Sequence, residues 1–153
     1  MIFYRLTKSA WAQEAWTGNG AKWHGGRWNH KGSAAVYVST SIALASLEIL
    51  VHLQKESLLE QYALFTIDVP DTEVQLLENR YLPENWRDDP APVATMELGS
   101  GWLESNSSLA LIVPSTIIPQ EKNALLNPRH PAFETALQSA QRHNFSFDPR
   151  LMR

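Results

Sequence analysis

Residues 34–54 read Ala-Ala-Val-Tyr-Val-Ser-Thr-Ser-Ile-Ala-Leu-Ala-Ser-Leu-Glu-Ile-Leu-Val-His-Leu-Gln, and two periods meet in this stretch. Val36, Tyr37 and Val38 are β-branched or aromatic and run into three hydroxyl residues, which predicts a strand over 34–39. From Ser41 the apolar residues recur at helical spacing behind N-cap oxygens, which predicts a helix running to about Gln54. Working outward, strands are expected at 2–6, 62–69, 74–77 and 109–113, with Pro70 and Pro114 as stops. Short edge strands are expected at 117–118 and 124–126, and a closing strand at 145–147. Helical turns are expected at 12–16, and helices at about 92–105 and at 131–142, where proline suits the first turn. The glycine-rich segment 24–32 and the segment 81–92 read as loops. Strands and helices intermix without a regular βαβ period, so the expected class is α+β, in one domain over residues 1–153.

Composition narrows the functions available. The chain has no cysteine, which excludes a disulfide scaffold, a Cys-ligated zinc, an iron–sulfur site and a cysteine nucleophile. A net charge of -3 argues against binding nucleic acid through a general basic field. The five histidines show no His-Glu-x-x-His spacing, so no metal hydrolase is expected. The N-terminus lacks the basic and long apolar regions of a signal peptide. The apolar stretch 42–53 is broken by Glu48 and His52 and falls short of the ~20 residues of a membrane span. A cytoplasmic protein with no membrane segment is the expectation.

Three features carry chemistry. In the 41–54 helix Leu44, Leu47 and Val51 share a face, and Ile42, Ile49 and Leu53 widen it, so the helix is expected to be mostly buried. Glu48 nevertheless stands in its middle, with His52 one turn on. A carboxylate there needs a cleft or a cation, because an unpartnered buried charge costs several kcal/mol. An exposed stripe or a structural ion pair with an arginine would also accommodate it. The second feature is His24-Gly25-Gly26-Arg27-Trp28-Asn29, where two glycines before an arginine allow close approach to a ligand. The guanidinium would fork onto a phosphate or carboxylate, or simply be solvated on a surface turn, and Trp28 would wall the site or serve the core. Neither a P-loop nor a dinucleotide fingerprint is present. The third feature is Tyr37, which shares a strand face with Ser39 and offers a ring for stacking, or for plain packing.

Gly26-Arg27-Trp28, Val36-Tyr37, Leu47-Glu48-Ile49-Leu50-Val51-His52-Leu53, Leu111-Ile112-Val113-Pro114-Ser115 and Asn127-Pro128-Arg129-His130-Pro131 follow one another in that order. Together they resemble the RES domain family, across nearly the whole chain and least between 75 and 105. The resemblance implies a toxin of a bacterial type II toxin–antitoxin pair, partnered by an Xre-type helix–turn–helix antitoxin. It implies a fold similar to the ADP-ribosyltransferase fold. It also implies degradation of NAD+ by hydrolysis or phosphorolysis of the nicotinamide–ribose bond; some members instead transfer ADP-ribose to a protein. The family's Arg, Tyr and Glu fall on Arg27, Tyr37 and Glu48. Its Ser falls on Ser115, with Ser108 as second candidate, and Asn127 lies in the Asn-Pro-x-His-Pro motif.

On this resemblance Glu48 would stabilise an oxocarbenium-like ribose, Arg27 would grip the pyrophosphate or a ribose-side oxygen and Tyr37 would stack on nicotinamide. Ser115 or Ser108 would hydrogen-bond nicotinamide or ribose, and His52 would orient Glu48 or an incoming phosphate. NAD+ is then the substrate, with water or inorganic phosphate as acceptor; no metal or resident cofactor is required. Two other classes stand beside this one: a protein-modifying ADP-ribosyltransferase, and a non-enzymatic nucleotide- or antitoxin-binding module.

Overall fold

In the computed structural model, which describes residues 1–152, every strand joins one sheet. The expected domain extent of 1–153 includes Arg153, which lies outside the described residues. The strands are β1 (Ile2–Lys8), β2 (Val36–Ser39), β3 (Tyr62–Asp68), β4 (Val74–Leu76), β5 (Ala110–Pro114), β6 (Lys122–Leu126) and β7 (Gln141–Phe145). Their spatial order is β4-β5-β6-β2-β1-β3-β7. The β4–β5 pair is parallel and the other neighbours are antiparallel, so the sheet is mixed. Among the described residues four α-helices flank it: α1 (Asn19–His24), α2 (Ile42–Leu50), α3 (Val93–Ser105) and α4 (Phe133–Leu137). The class is α+β, as the irregular alternation of elements predicts. No helix among the described residues is long and apolar enough to cross a membrane.

The central strands are apolar without alternation because both faces are covered. Leu111, Val113 and Leu125 pack with Trp28, Trp102 and Leu103 on the α3 side. Val36, Val38, Ala124 and Leu126 pack with Phe133 and Ala136 of α4 on the other. Each large apolar side chain fully buried in this way contributes roughly 1.5–3 kcal/mol.

Several boundaries differ from the sequence-based expectation. Residues 124–126 belong to β6, which lies between β5 and β2 and is no edge strand. All three are completely buried, and so short an apolar run carries no sign of its place in a sheet. Ile117 and Ile118 lie outside the strands; their amides both donate to the Ser115 hydroxyl, at 3.1 and 3.2 Å. The 131–142 helix ends at Leu137, and Gln141, Arg142 and His143 go on as the exposed edge strand β7. Polar side chains suit such an edge. Helix α1 was not foreseen.

Ser41 caps α2, its hydroxyl accepting from the Leu44 amide at 3.1 Å. The helix stops at Leu50, short of Gln54, as i→i+3 bonds from His52 and Leu53 tighten its last turn. It is also less buried than its composition predicts. Only Leu44 and Ala45 are buried, whereas Ile42, Leu47 and Val51 are exposed.

Candidate active site

Helix α2 holds Glu48 over the C-terminal end of β2 and the start of β6. Asn123 is the cross-strand partner of both Ser39 and Val113. Its Nδ2 donates to Glu48 Oε1 at 2.6 Å, and its Oδ1 accepts from the Ser39 hydroxyl at 2.7 Å. Ser115, directly after β5, donates its hydroxyl to the same Oε1 at 2.8 Å. The start of β6 and the loop after β5 therefore pin one carboxylate oxygen, by hydrogen bonds strengthened by its charge, while Ser39 holds Asn123 in place. Glu48 Oε2 has no partner among the described residues and is not sealed from solvent.

Ser115 thus differs from its expected role. It is completely buried. Its single hydroxyl proton goes to Glu48, and its oxygen accepts from the amides of Ile117 and Ile118. It positions Glu48 and has no group left for a substrate.

The arginine loop is built on Asn29. This completely buried side chain donates Nδ2 to the carbonyls of Ala21, His30 and Ser33 at 2.8, 3.1 and 3.1 Å. Tyr37 donates its hydroxyl to Asn29 Oδ1 at 2.6 Å and accepts from the Trp28 amide at 3.2 Å. Burial raises the phenol above its ordinary pKa, against smaller opposing effects of the Trp28 hydrogen bond and the Arg27 charge, so it stays neutral. Gly26 lies so close beneath Tyr37 that a Cβ there would stand 2.5 Å from the hydroxyl oxygen. Helix α3 closes on the loop from the other side. A Cβ at Gly99 would overlap the Trp28 carbonyl, and Ser100 accepts from the His30 amide at 2.9 Å. The indole of Trp28 is buried in the core behind the site.

The loop aims Arg27 into a hollow of about 1380 Å³. Arg27 Nη1 donates to the carbonyls of Trp86 and Asp88 at 2.9 and 2.7 Å, tying the 81–92 segment to the rim. Its Nε and Nη2 have no partner among the described residues. Arg87 strengthens the same rim by donating to the Thr116 carbonyl at 2.9 Å. Burying most of a drug-sized ligand takes some 300–1,000 Å³, so this hollow has room for a dinucleotide.

Of the residues singled out from sequence, Arg27, Trp28, Tyr37, Glu48 and His52 line this hollow. His52 is exposed at its rim and bonds no carboxylate among the described residues, so it is not a core histidine. Ser108 and Asn127 do not line it. Ser108 accepts from Trp102 Nε1 at 2.8 Å and donates to the Ala110 carbonyl at 2.9 Å. Asn127 donates to the Leu103 carbonyl and to Asn106 Oδ1, at 3.0 and 2.8 Å, and accepts from the Arg129 amide at 3.1 Å. Both are committed to the fold, because buried polar groups take whatever partners the surrounding backbone offers. Asn123 and Arg87 went unnoticed in the sequence: a polar residue before a short apolar strand, and an arginine in a loop, carry no motif. Asn29 stood inside the quoted loop without a role.

A model of the RES domain matches residues 2–148. The chain is 52% identical over 151 residues to "Toxin Res" of Yersinia enterocolitica, covering 99% of each chain. It is 38% identical over 156 residues to the "Prs ADP-ribosylating toxin" of a Sphingobium species, covering 99% of this chain and 96% of that one. Its fold is similar to that of a chain in the crystal structure of the M. tuberculosis MbcT–MbcA toxin–antitoxin complex. The TM-score there is 0.73 at 20% identity, over 99% of this chain and 86% of that one. With its family model spanning all but the ends, and relatives alike along their whole length, the chain belongs to the RES domain family.

Proposed function

We propose that this protein is the toxin of a toxin–antitoxin pair and that it degrades NAD+ by cleaving the nicotinamide–ribose bond, as a glycohydrolase or phosphorylase. The observation that carries the reading is Glu48. One oxygen is pinned by Ser115 and Asn123, the other is free, and the group borders a hollow with room for a dinucleotide. The leaving group needs no acid, since the pyridinium already bears the charge that the departing electron pair cancels. What must be stabilised is the positive charge developing on the ribose, and a fixed carboxylate does this without reorganising during the reaction. Arg27 keeps Nε and Nη2 for the pyrophosphate while Nη1 holds the 81–92 segment, so anion binding and rim order are coupled. Tyr37 serves the ligand with its ring alone, its hydroxyl being engaged. His52 stands at the rim on the Glu48 side.

A cell making such an enzyme needs it neutralised. The proposed partner is an Xre-type antitoxin, with the exposed Trp23, Leu47 and Val51 as apolar surface to cover. A cytoplasmic location accompanies this reading. The Sphingobium relative's name favours a second reading, transfer of ADP-ribose to a protein. Proton NMR of NAD+ with the purified protein separates them: free nicotinamide with ADP-ribose or its phosphate ester, against release that needs added lysate and labels a protein. Glu48→Gln is expected to slow nicotinamide release by about 10²–10³ with an unchanged Tm. A mutant that keeps the full rate removes Glu48 from the mechanism, and an NAD+ pool untouched in every arm leaves a binding module.

A further inference from the structure

The chain from Pro83 to Asp88 forms a strap on the rim of the large hollow. Two tight turns stiffen it: the Trp86 amide donates to the Pro83 carbonyl at 3.1 Å, and the Asp88 amide to the Asn85 carbonyl at 3.0 Å. Trp86, half-buried, packs against the cluster that holds Trp28, Trp102 and Leu103. Arg27 Nη1 holds the carbonyls of Trp86 and Asp88, and the residue between them is a second arginine. Arg87 lines the same hollow. It donates Nη2 to the Thr116 carbonyl and keeps Nε and Nη1 without a partner among the described residues. Neither arginine forms an ion pair among the described residues, although Asp88 and Asp89 follow Arg87 in the chain. Both guanidinium charges therefore remain available to a ligand. Thr116 follows Ser115, whose hydroxyl holds Glu48 Oε1. Arg87 is thus fastened on the Glu48 side, one residue from the group that positions the carboxylate.

A pyrophosphate carries a negative charge on each of its phosphates, and a guanidinium with two free donors forks onto one of them. We propose that Arg87 is a second anion-holding residue of the large hollow, and that it takes the nicotinamide-side phosphate of the dinucleotide while Arg27 takes the adenosine-side phosphate. The inference rests on the NAD+ reading above and divides its pyrophosphate between two side chains. With C1′ of the nicotinamide ribose at Glu48, the phosphate nearer that ribose falls to the arginine fastened beside Ser115. The farther phosphate falls to Arg27. Both guanidinium groups are tied to the same three residues of the strap, so filling one seat steadies the other.

The test measures binding by calorimetry in Glu48→Gln, whose slowed turnover is expected to spare the ligands during titration. Three ligands are compared: NAD+, nicotinamide mononucleotide, which keeps only the nicotinamide-side phosphate, and nicotinamide riboside, which has no phosphate. Adding Arg87→Gln is expected to weaken NAD+ and the mononucleotide roughly tenfold, the loss of a charge-assisted contact, and to leave the riboside within about twofold. Arg87→Lys, which keeps the charge without the fork, is expected to recover part of the loss. The single variant Arg87→Gln is expected to show the same order in KM for nicotinamide release. Equal weakening of all three ligands would make Arg87 a strut of the rim and overturn the proposal. Weakening of NAD+ alone would move Arg87 to the adenosine side and overturn it too. So would a mononucleotide that Glu48→Gln binds no more tightly than the riboside, since no phosphate seat would then exist beside Glu48. Arg87 is exposed and makes one hydrogen bond, so an unchanged Tm is expected. Should Arg87→Gln not fold, Arg87→Lys against the same three ligands decides by the same pattern. The cleavage itself fails separately: wild-type protein that releases no nicotinamide from NAD+ removes it, and the binding pattern still judges Arg87.

Discussion

The β5–β6 hairpin carries a serine and an asparagine at each end, and the two ends do opposite work. At one end Ser115 and Asn123 both donate to Glu48 and so hold a carboxylate that the hollow can use. At the other, Ser108 and Asn127 donate and accept among Trp102, Leu103, Asn106, Ala110 and Arg129. All but Asn123 are buried, and residue type is the same in both pairs. The difference lies in what stands opposite. Helix α2 brings a charge to the first end, whereas the last turn of α3 brings the Leu103 carbonyl and the Trp102 indole N–H to the second. Helix α3 also ties the ends together, since its Gly99 and Ser100 clamp the arginine loop while its Trp102 and Leu103 meet Ser108 and Asn127.

Substitutions that act on both ends should have the largest effect. Gly99→Ala forces α3 away from the Trp28 carbonyl. We expect it to destabilise the protein by roughly 1–3 kcal/mol in urea unfolding and also to lower the rate of nicotinamide release per folded molecule. A normal rate would show that the arginine loop tolerates movement of α3. Asn127→Ala acts on the structural end alone. It leaves a buried carbonyl and an amide without partners, for an expected loss of about 1–3 kcal/mol, while the rate per folded molecule stays at the wild-type value. A clear loss of rate at temperatures where the mutant is folded would return Asn127 to the site. Asn123→Ala acts on the other end. It frees Glu48 Oε1 from one donor, and we expect about a tenfold slower reaction, ~1.4 kcal/mol in barrier, with less loss of stability than Asn127→Ala. Equal stability losses with no change in rate would erase the distinction between the ends.

Much of the fold was legible because it is local. The 34–54 stretch announces a strand, a cap and a helix by residue type and spacing alone, and all three form. Arg27, Tyr37 and Glu48 stood out singly, as a guanidinium after two glycines, an aromatic in a strand and a charge in an apolar helix. Their convergence on one hollow was not visible residue by residue; the order of five weak motifs pointed to it through family resemblance. The edge or interior place of 124–126 was not legible, nor was the end of α4, since a short run looks the same in either setting.

Amino-acid order by itself determined which segments become strands and helices, the absence of thiol chemistry, and the membership of this chain in its family. Only the tertiary structure decided which serine and asparagine serve Glu48 and which serve the fold. It alone left the Arg5 Nε, at the seam between β1 and β2, without a hydrogen-bond partner among the described residues. The reason is physical: hydrogen-bond partnership and desolvation depend on what long-range packing sets against a side chain, and that partner lies 67 residues away in sequence for Ser115 and 75 for Asn123.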